Sequence, residues 1–255
     1  MRVKHLFGFA LVFSSMLYAS NPFVGKWKID QAKSHITGTT DFVEAAGPNT
    51  WKFRDGTFSW TLKADGTDQP TPFGTTALNV VNPTTWQFMN KSNGRPLGTE
   101  IWVLSANGKT MTRTFAGQKD NGEPFTGEAS MKRTAGKAGF EGAWESTDVQ
   151  MTFTEVDIEP NGDDGISAHV PADGTHYSLK FDGKEYPEEG PRIPAGLTVS
   201  AKVTGARSIR VTTWLNGKVF DNEDWELSAD GKTFTYTQHD AGTDKPAVII
   251  LHRSE

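Results

Sequence analysis

The sequence predicts an all-β chain: two tandem antiparallel up-and-down β-barrels of about eight to ten short strands each. Three observations lead there. Eleven Asn-Gly or Asp-Gly pairs punctuate the 255 residues, and both members of such a pair accept the positive φ of a type I′ hairpin turn. Between them apolar and polar residues alternate. Phe58, Trp60 and Leu62 interleave with Ser59, Thr61 and Lys63, and Leu197, Val199, Ala201 and Val203 with Thr198, Ser200 and Lys202. Period two marks strands with one dry and one wet face. Third, the chain matches itself. Trp102-Val-Leu-Ser-Ala-Asn-Gly-Lys-Thr returns 123 residues on as Trp225-Glu-Leu-Ser-Ala-Asp-Gly-Lys-Thr, and Phe23-Val-Gly-Lys-Trp27 returns 117 residues on as Phe140-Glu-Gly-Ala-Trp144. A meander this long tends to close, because closure removes its edges; a two-sheet sandwich is the alternative architecture.

Taken in order, the chain opens with Arg2, Lys4 and His5, an apolar run from Leu6 to Tyr18, and then Ala19 and Ser20. This is the pattern of a secretory signal peptide over residues 1–20, too short to span a bilayer comfortably, and it predicts a secreted or periplasmic protein with no membrane span after signal removal. The first repeat covers 21–134. Within it Asp30-Gln-Ala-Lys-Ser-His35 is the sole helix candidate, of one or two turns. Ala135-Gly-Lys-Ala138 reads as a linker, and the second repeat covers 139–255. Val248-Ile-Ile-Leu251 near its end is apolar throughout and reads as a strand covered on both faces.

Composition narrows the function. The absence of cysteine removes disulfides, thiolate metal sites, cysteine nucleophiles and a lipoprotein anchor. A net charge of −5 and a pI near 5.7 speak against nucleic-acid binding. Removing residues 1–20, with two basic side chains and no acid, takes the net charge to −7.

The sequence offers little chemistry. Asp157-Ile-Glu-Pro-Asn-Gly-Asp-Asp164 imitates a calcium loop, but the twelfth position is Ala168 where a glutamate belongs. His169 and His176 face each other across the Asp173-Gly174 turn, yet two histidines do not make a zinc site. Ser105-Ala-Asn-Gly-Lys-Thr110 and its counterpart Ser228-Ala-Asp-Gly-Lys-Thr233 lack the first glycine and the helix of a phosphate-binding loop and read as hairpin turns. Glu188-Glu189 and Asp221 with Glu223-Asp224 read as solvated loop carboxylates. No catalytic residue, metal or cofactor is therefore predicted, and the chain does not read as an enzyme.

Phe23-Val-Gly25-Lys-Trp27 and Phe140-Glu-Gly142-Ala-Trp144 resemble the Gly-x-Trp opening strand of the calycin superfamily, the lipocalins and fatty-acid-binding proteins. The resemblance implies a barrel plugged at one end by the Trp, with an Arg of the last strand packed across it. It assigns Trp27 to Arg133 and Trp144 to Arg253. The Arg-x-Tyr with which fatty-acid-binding proteins grip a carboxylate is missing, since Thr134-Ala135 and Ser254-Glu255 follow the two arginines. The resemblance also implies a small hydrophobic ligand inside one or both barrels, with Phe58, Trp60, Trp86, Tyr177, Trp214 and Tyr236 as candidate lining residues. Phe53, Phe58, Trp60, Trp86 and Phe88 align with the smaller or more polar Val170, Thr175, Tyr177, Ile209 and Val211. On that count the first barrel is plugged and the second has room. The alternatives are filled barrels acting as a structural or protein-interaction module, and an enzyme on a calycin-like barrel.

Overall fold

The computed structural model describes residues 21–35, 38, 40–56, 58–118, 122–136, 138–150, 155–172, 174–191, 193–240 and 245–254. The predicted signal peptide lies outside them, as does Asp173. The strands are β1 (Gly25–Ile29), β2 (Thr40–Gly47), β3 (Thr50–Asp55), β4 (Phe58–Lys63), β5 (Gln69–Thr71), β6 (Gly74–Asn82), β7 (Thr85–Ser92), β8 (Arg95–Leu104), β9 (Thr110–Gln118) and β10 (Pro124–Ala135). They continue with β11 (Gly142–Gln150), β12 (Glu155–Pro160), β13 (Gly165–Val170), β14 (Thr175–Lys180), β15 (Tyr186–Glu189) and β16 (Leu197–Gly205). Last come β17 (Ser208–Leu215), β18 (Lys218–Leu227), β19 (Thr233–Asp240) and β20 (Ala247–Arg253).

These strands build two antiparallel ten-stranded sheets, one a closed barrel and one nearly closed. This is the all-β barrel architecture expected from the sequence. No helix among the described residues is long and apolar enough to cross a membrane. Asp30–His35 forms a single turn, in which Asp30 accepts the backbone N–H of Lys33 and Ser34. Asn93-Gly94 and Asn216-Gly217 carry positive φ at both residues (49° and 76°, 52° and 75°), which is the type I′ geometry their sequence predicts. Val248, Ile249 and Ile250 are only half-buried, so β20 is covered less completely than its composition suggests.

The sheets do not follow the repeat boundaries. β2 to β11 form the nearly closed sheet, which therefore spans residues 40–150 without a break. The closed barrel is β12 to β20 completed by β1, which pairs with β12 on one side and β20 on the other. Each Gly-x-Trp strand has thus changed places. The assignment of Trp27 to Arg133 and Trp144 to Arg253 is corrected: Trp27 lies opposite Arg253 and Trp144 opposite Arg133. The reason is local. β10 ends at Ala135 and β11 begins at Gly142, so β11 folds back on β10 as a hairpin, and a short loop costs little closure entropy. With its place taken, β1 fills the matching gap in the other barrel.

Both barrel ends use the same chemistry. Each guanidinium lies 4.2 Å from its indole ring and bonds three carbonyl oxygens: Gly231, Val24 and Pro22 for Arg253, and Gly108, Glu141 and Gly139 for Arg133. The indole N–H of Trp27 donates to Phe23 O and that of Trp144 to Phe140 O, both at 2.8 Å. The glycine of the motif is required. Gly142 has φ +139°, and a Cβ there would collide with the Ala135 carbonyl and press on the Arg133 guanidinium. Gly142→Ala is therefore expected to cost more than about 1 kcal/mol, since the residue must leave a conformation it cannot adopt. Urea unfolding followed by tryptophan fluorescence checks this.

Candidate ligand-binding site

A cavity of about 380 Å³ lies inside the nearly closed sheet. Alternation along each strand decides what faces it. β3 turns Phe53 and Asp55 inward, β4 turns Trp60 and Leu62, and β7 turns Phe88 and Asn90. Glu100 and Trp102 on β8 and Arg113 and Phe115 on β9 complete the inner wall. Phe73, in the turn between β5 and β6, and Phe125 on β10 close it. The rings meet edge to face or stacked, with Phe53 and Trp60 5.9 Å apart and Phe53 and Phe88 also 5.9 Å apart. Rigid rings in such contacts hold the walls apart.

The cavity thus sits in the barrel whose large rings were expected to plug it, a correction to the sequence reading. Those rings pack with one another at the plugged end, where Trp86 lies 4.2 Å from Phe140 and 4.6 Å from Trp51. In the closed barrel Ile209 and Val211, aligned with Trp86 and Phe88, pack with Val199 and Ala201 in one core.

The polar floor is built around Arg113. Its Nε donates to Glu100 Oε1 at 2.6 Å and its Nη1 to Asp41 Oδ2. The guanidinium lies 4.7 Å from the Trp102 ring, whose indole N–H also donates to Glu100. Burial works against the charge of Arg113, but the carboxylates of Glu100, Asp41 and, more weakly, Asp55 outweigh it and raise the pKa. Arg113→Met would strand two largely buried carboxylates. It is expected to cost about 3 kcal/mol in chemical denaturation at neutral pH.

One wall lacks a backbone ladder. β4 and β5 are the two ends of the sheet order, and the Gln69 side chain bridges them. Its Nε2 donates to Lys63 O at 2.7 Å, and its Oε1 accepts from Lys63 N at 2.8 Å. The aligned seam of the closed barrel, β14 with β15, is paired. Trp60, Thr71 and Phe73 border the cavity at this seam, and the other barrel backs it. Phe58 and Phe73 pack with Phe220 of β18 at centroid distances of 5.6 and 6.0 Å, beside Leu197, Leu215 and Ile193.

The predicted lining residues are dispersed by this arrangement. Trp60 lines the cavity. Phe58 belongs to the contact between barrels, and Trp86 to the aromatic core at the plugged end. Trp214 is on the outer face of β17, where its indole N–H donates to Ser200 Oγ. Tyr177 and Tyr236 face the interior of the closed barrel. There Tyr236 Oη donates to Glu223 Oε1 at 2.7 Å, Trp225 Nε1 donates to Glu223 Oε2 at 2.9 Å, and Gln238 Nε2 donates to Asp221 Oδ2 at 3.2 Å. Asp221 and Glu223, read as solvated, are buried. Burial and the neighbouring Asp221 push the Glu223 carboxyl up to about 8, against the hydrogen bonds from Tyr236 and Trp225. Burial and then the Glu223 charge hold both tyrosines well above their usual value.

Sequence reasoning missed Asp41, Asp55, Glu100 and Arg113. A usable signal existed: Glu100 and Glu223 each stand two residues before a Trp, so alternation places them on the same dry face. The 123-residue offset equates Arg113 with Tyr236 and Gly98 with Asp221, so the two barrels treat the same buried glutamate in opposite ways. The remaining motifs are structural. Ser105 Oγ and Ser228 Oγ each accept a backbone N–H across their turns, from Thr110 and Thr233. Asp157 and Ala168 lie on opposite arms of a β12–β13 hairpin, and His169 pairs with His176 on an exposed face. No protein-family model matches the sequence, and comparison with characterised proteins finds no significant match.

Proposed function

We propose that this is an exported, lipocalin-like binding protein, arisen by tandem duplication, whose first barrel holds one small apolar molecule. The observation that carries the reading is the cavity between Phe53, Trp60, Phe73, Phe88, Trp102, Phe115 and Phe125. Its volume falls at the lower end of the ~300–1,000 Å³ typical of small-molecule sites, and apolar walls with a few fixed polar groups are the usual make-up of such sites. The N-terminal signal pattern and the Gly-x-Trp resemblance support export and the calycin assignment. The test is titration of an uncharged apolar fluorescent probe against the whole chain and against Asn90→Phe, which puts a ring into the cavity. Saturable one-to-one binding by the parent, weakened at least about tenfold in the variant, is expected. Equal binding by both would move the site elsewhere, and no saturation would end the proposal.

A further inference from the structure

The seam between β4 and β5 is the weak line of the first barrel, and the second barrel stands against it. Trp60 and Thr71 correspond, 117 residues on, to Tyr177 and Glu188, which are direct cross-strand partners in the closed barrel. The next pair there, His176 and Glu189, corresponds to Ser59 and Pro72. Proline has no N–H to give to a ladder. In backbone pairing β4 joins only β3 and β5 only β6, so side chains hold the seam. At one end the Gln69 amide bonds both the N–H and the carbonyl of Lys63. At the other, Trp60 and Phe73 meet edge to face across the seam, with ring centroids 5.7 Å apart. Both rings line the cavity.

The dry face of β4 leads from the cavity into the second barrel. Leu62 and Trp60 line the cavity, and Phe58, two residues before Trp60, packs on Phe220 of β18 at 5.6 Å. Phe220 also meets Phe73 at 6.0 Å with the ring planes 68° apart, and Phe58 meets Phe73 at 5.9 Å. The ring that closes the seam on the cavity side is thus held from behind by a residue of the other barrel. Ser92 Oγ, at the end of β7, donates to Ile193 O at 3.4 Å and ties the same two surfaces together. Parting a laddered pair of strands breaks a row of backbone bonds. Parting this seam breaks the Gln69 bonds and a set of ring contacts, so it is the part of the wall that opens most readily.

We propose that Phe220 is a positioning residue of the first-barrel site: acting through Phe73, it keeps the β4–β5 seam closed on a bound molecule, so that the second barrel sets how long the ligand stays. This rests on the binding function proposed above and adds its regulation. Phe220 does not line the cavity, and its effect on a ligand passes through Phe73 and Phe58. A wall that loosens releases ligand faster without losing the groups that bind it, so the effect belongs in the dissociation rate.

The test is stopped-flow fluorescence on the whole chain with N-phenyl-1-naphthylamine, an uncharged apolar probe. Phe220→Ala is expected to speed dissociation about tenfold while association stays within about twofold of the parent. Phe220→Leu, which keeps bulk but not the ring, should fall between the two and carries the test if the alanine variant does not fold. Gln69→Leu removes the other latch and should also speed dissociation. Because both changes open one seam, the double variant should dissociate more slowly than the product of the two single effects. Ile166→Val, in the core of the closed barrel away from this contact, should leave both rates unchanged. Parental dissociation rates in the Phe220 variants overturn the proposal. So do effects of Gln69→Leu and Phe220→Ala that simply multiply, or an equal effect of Ile166→Val. In those cases saturable binding still leaves the cavity function standing. If the probe does not bind the parent at all, both fall.

Discussion

A chain of residues 38–150 is expected to fold by itself into the nearly closed barrel, whereas residues 139–255, one complete sequence repeat, are expected not to fold. The first fragment holds all ten strands of its sheet, including Trp144 and the Arg133 that packs on it. The second lacks β1 and carries β11 with no sheet to join. Without β1, the closed barrel loses Trp27 and Phe23, both essentially fully buried, and exposes the edges of β12 and β20. Phe23 alone packs against Phe234 at 5.3 Å and Trp225 at 6.0 Å. Emptying a large aromatic site costs about 3–5 kcal/mol, and two such losses with a broken ladder on each side consume the ~5–15 kcal/mol that holds a domain together. Circular dichroism and amide dispersion of the two fragments check this. Adding a peptide of residues 21–35 to the 139–255 fragment is expected to restore part of the signal.

The second large effect is a dependence of stability on pH that runs opposite to acid denaturation. Glu223 takes a proton near pH 8 in the folded protein and near 4.5 when unfolded. Between those values the folded state holds the proton and the unfolded state does not. The protonated carboxyl thus stabilises fully below about pH 4.5, and that contribution is lost as pH rises through about 8. The total is of the order of 3–5 kcal/mol. Glu223→Gln is expected to abolish most of this slope, raising the urea midpoint at pH 8.5. At pH 5 it should cost about 1 kcal/mol, because an amide cannot accept from both Tyr236 and Trp225. A parallel pH profile for parent and variant would show that the pair is not the source. Asp30, Asp65 and Glu145, held below their usual range by hydrogen bonds from Lys33, Thr67 and Lys245 respectively, act only in the acid region and leave this window clear.

The strands and turns were legible because they are local. Alternation at Phe58–Lys63 and the Asn93-Gly94 and Asn216-Gly217 turns depend on neighbours in sequence. The residues of the barrel ends were legible too, since Gly25, Trp27, Gly142, Trp144, Arg133 and Arg253 form chemically complete pairs. Their pairing was not, because either Trp suits either Arg and only the path of the chain decides. The four residues after Thr134 carried the clue, being short for a link between barrels and well suited to a hairpin. The cavity was illegible for a different reason. Counting ring sizes assumes that side chains fill the space they are given, while rigid rings also determine how much space there is. The inward carboxylates were hidden by an ordinary expectation, that Asp and Glu near turn residues are solvated.

Eight tryptophans, each with one indole N–H, report on the whole molecule, and the most direct test of the central claim is their NMR signals during titration with a saturating ligand. Trp60 and Trp102 line the cavity of the first barrel. Their two indole resonances are predicted to shift together with one-to-one stoichiometry, while those of Trp27, Trp144, Trp214 and Trp225 stay in place. Saturation that moves Trp214 or Trp225 and leaves Trp60 and Trp102 unmoved would contradict it.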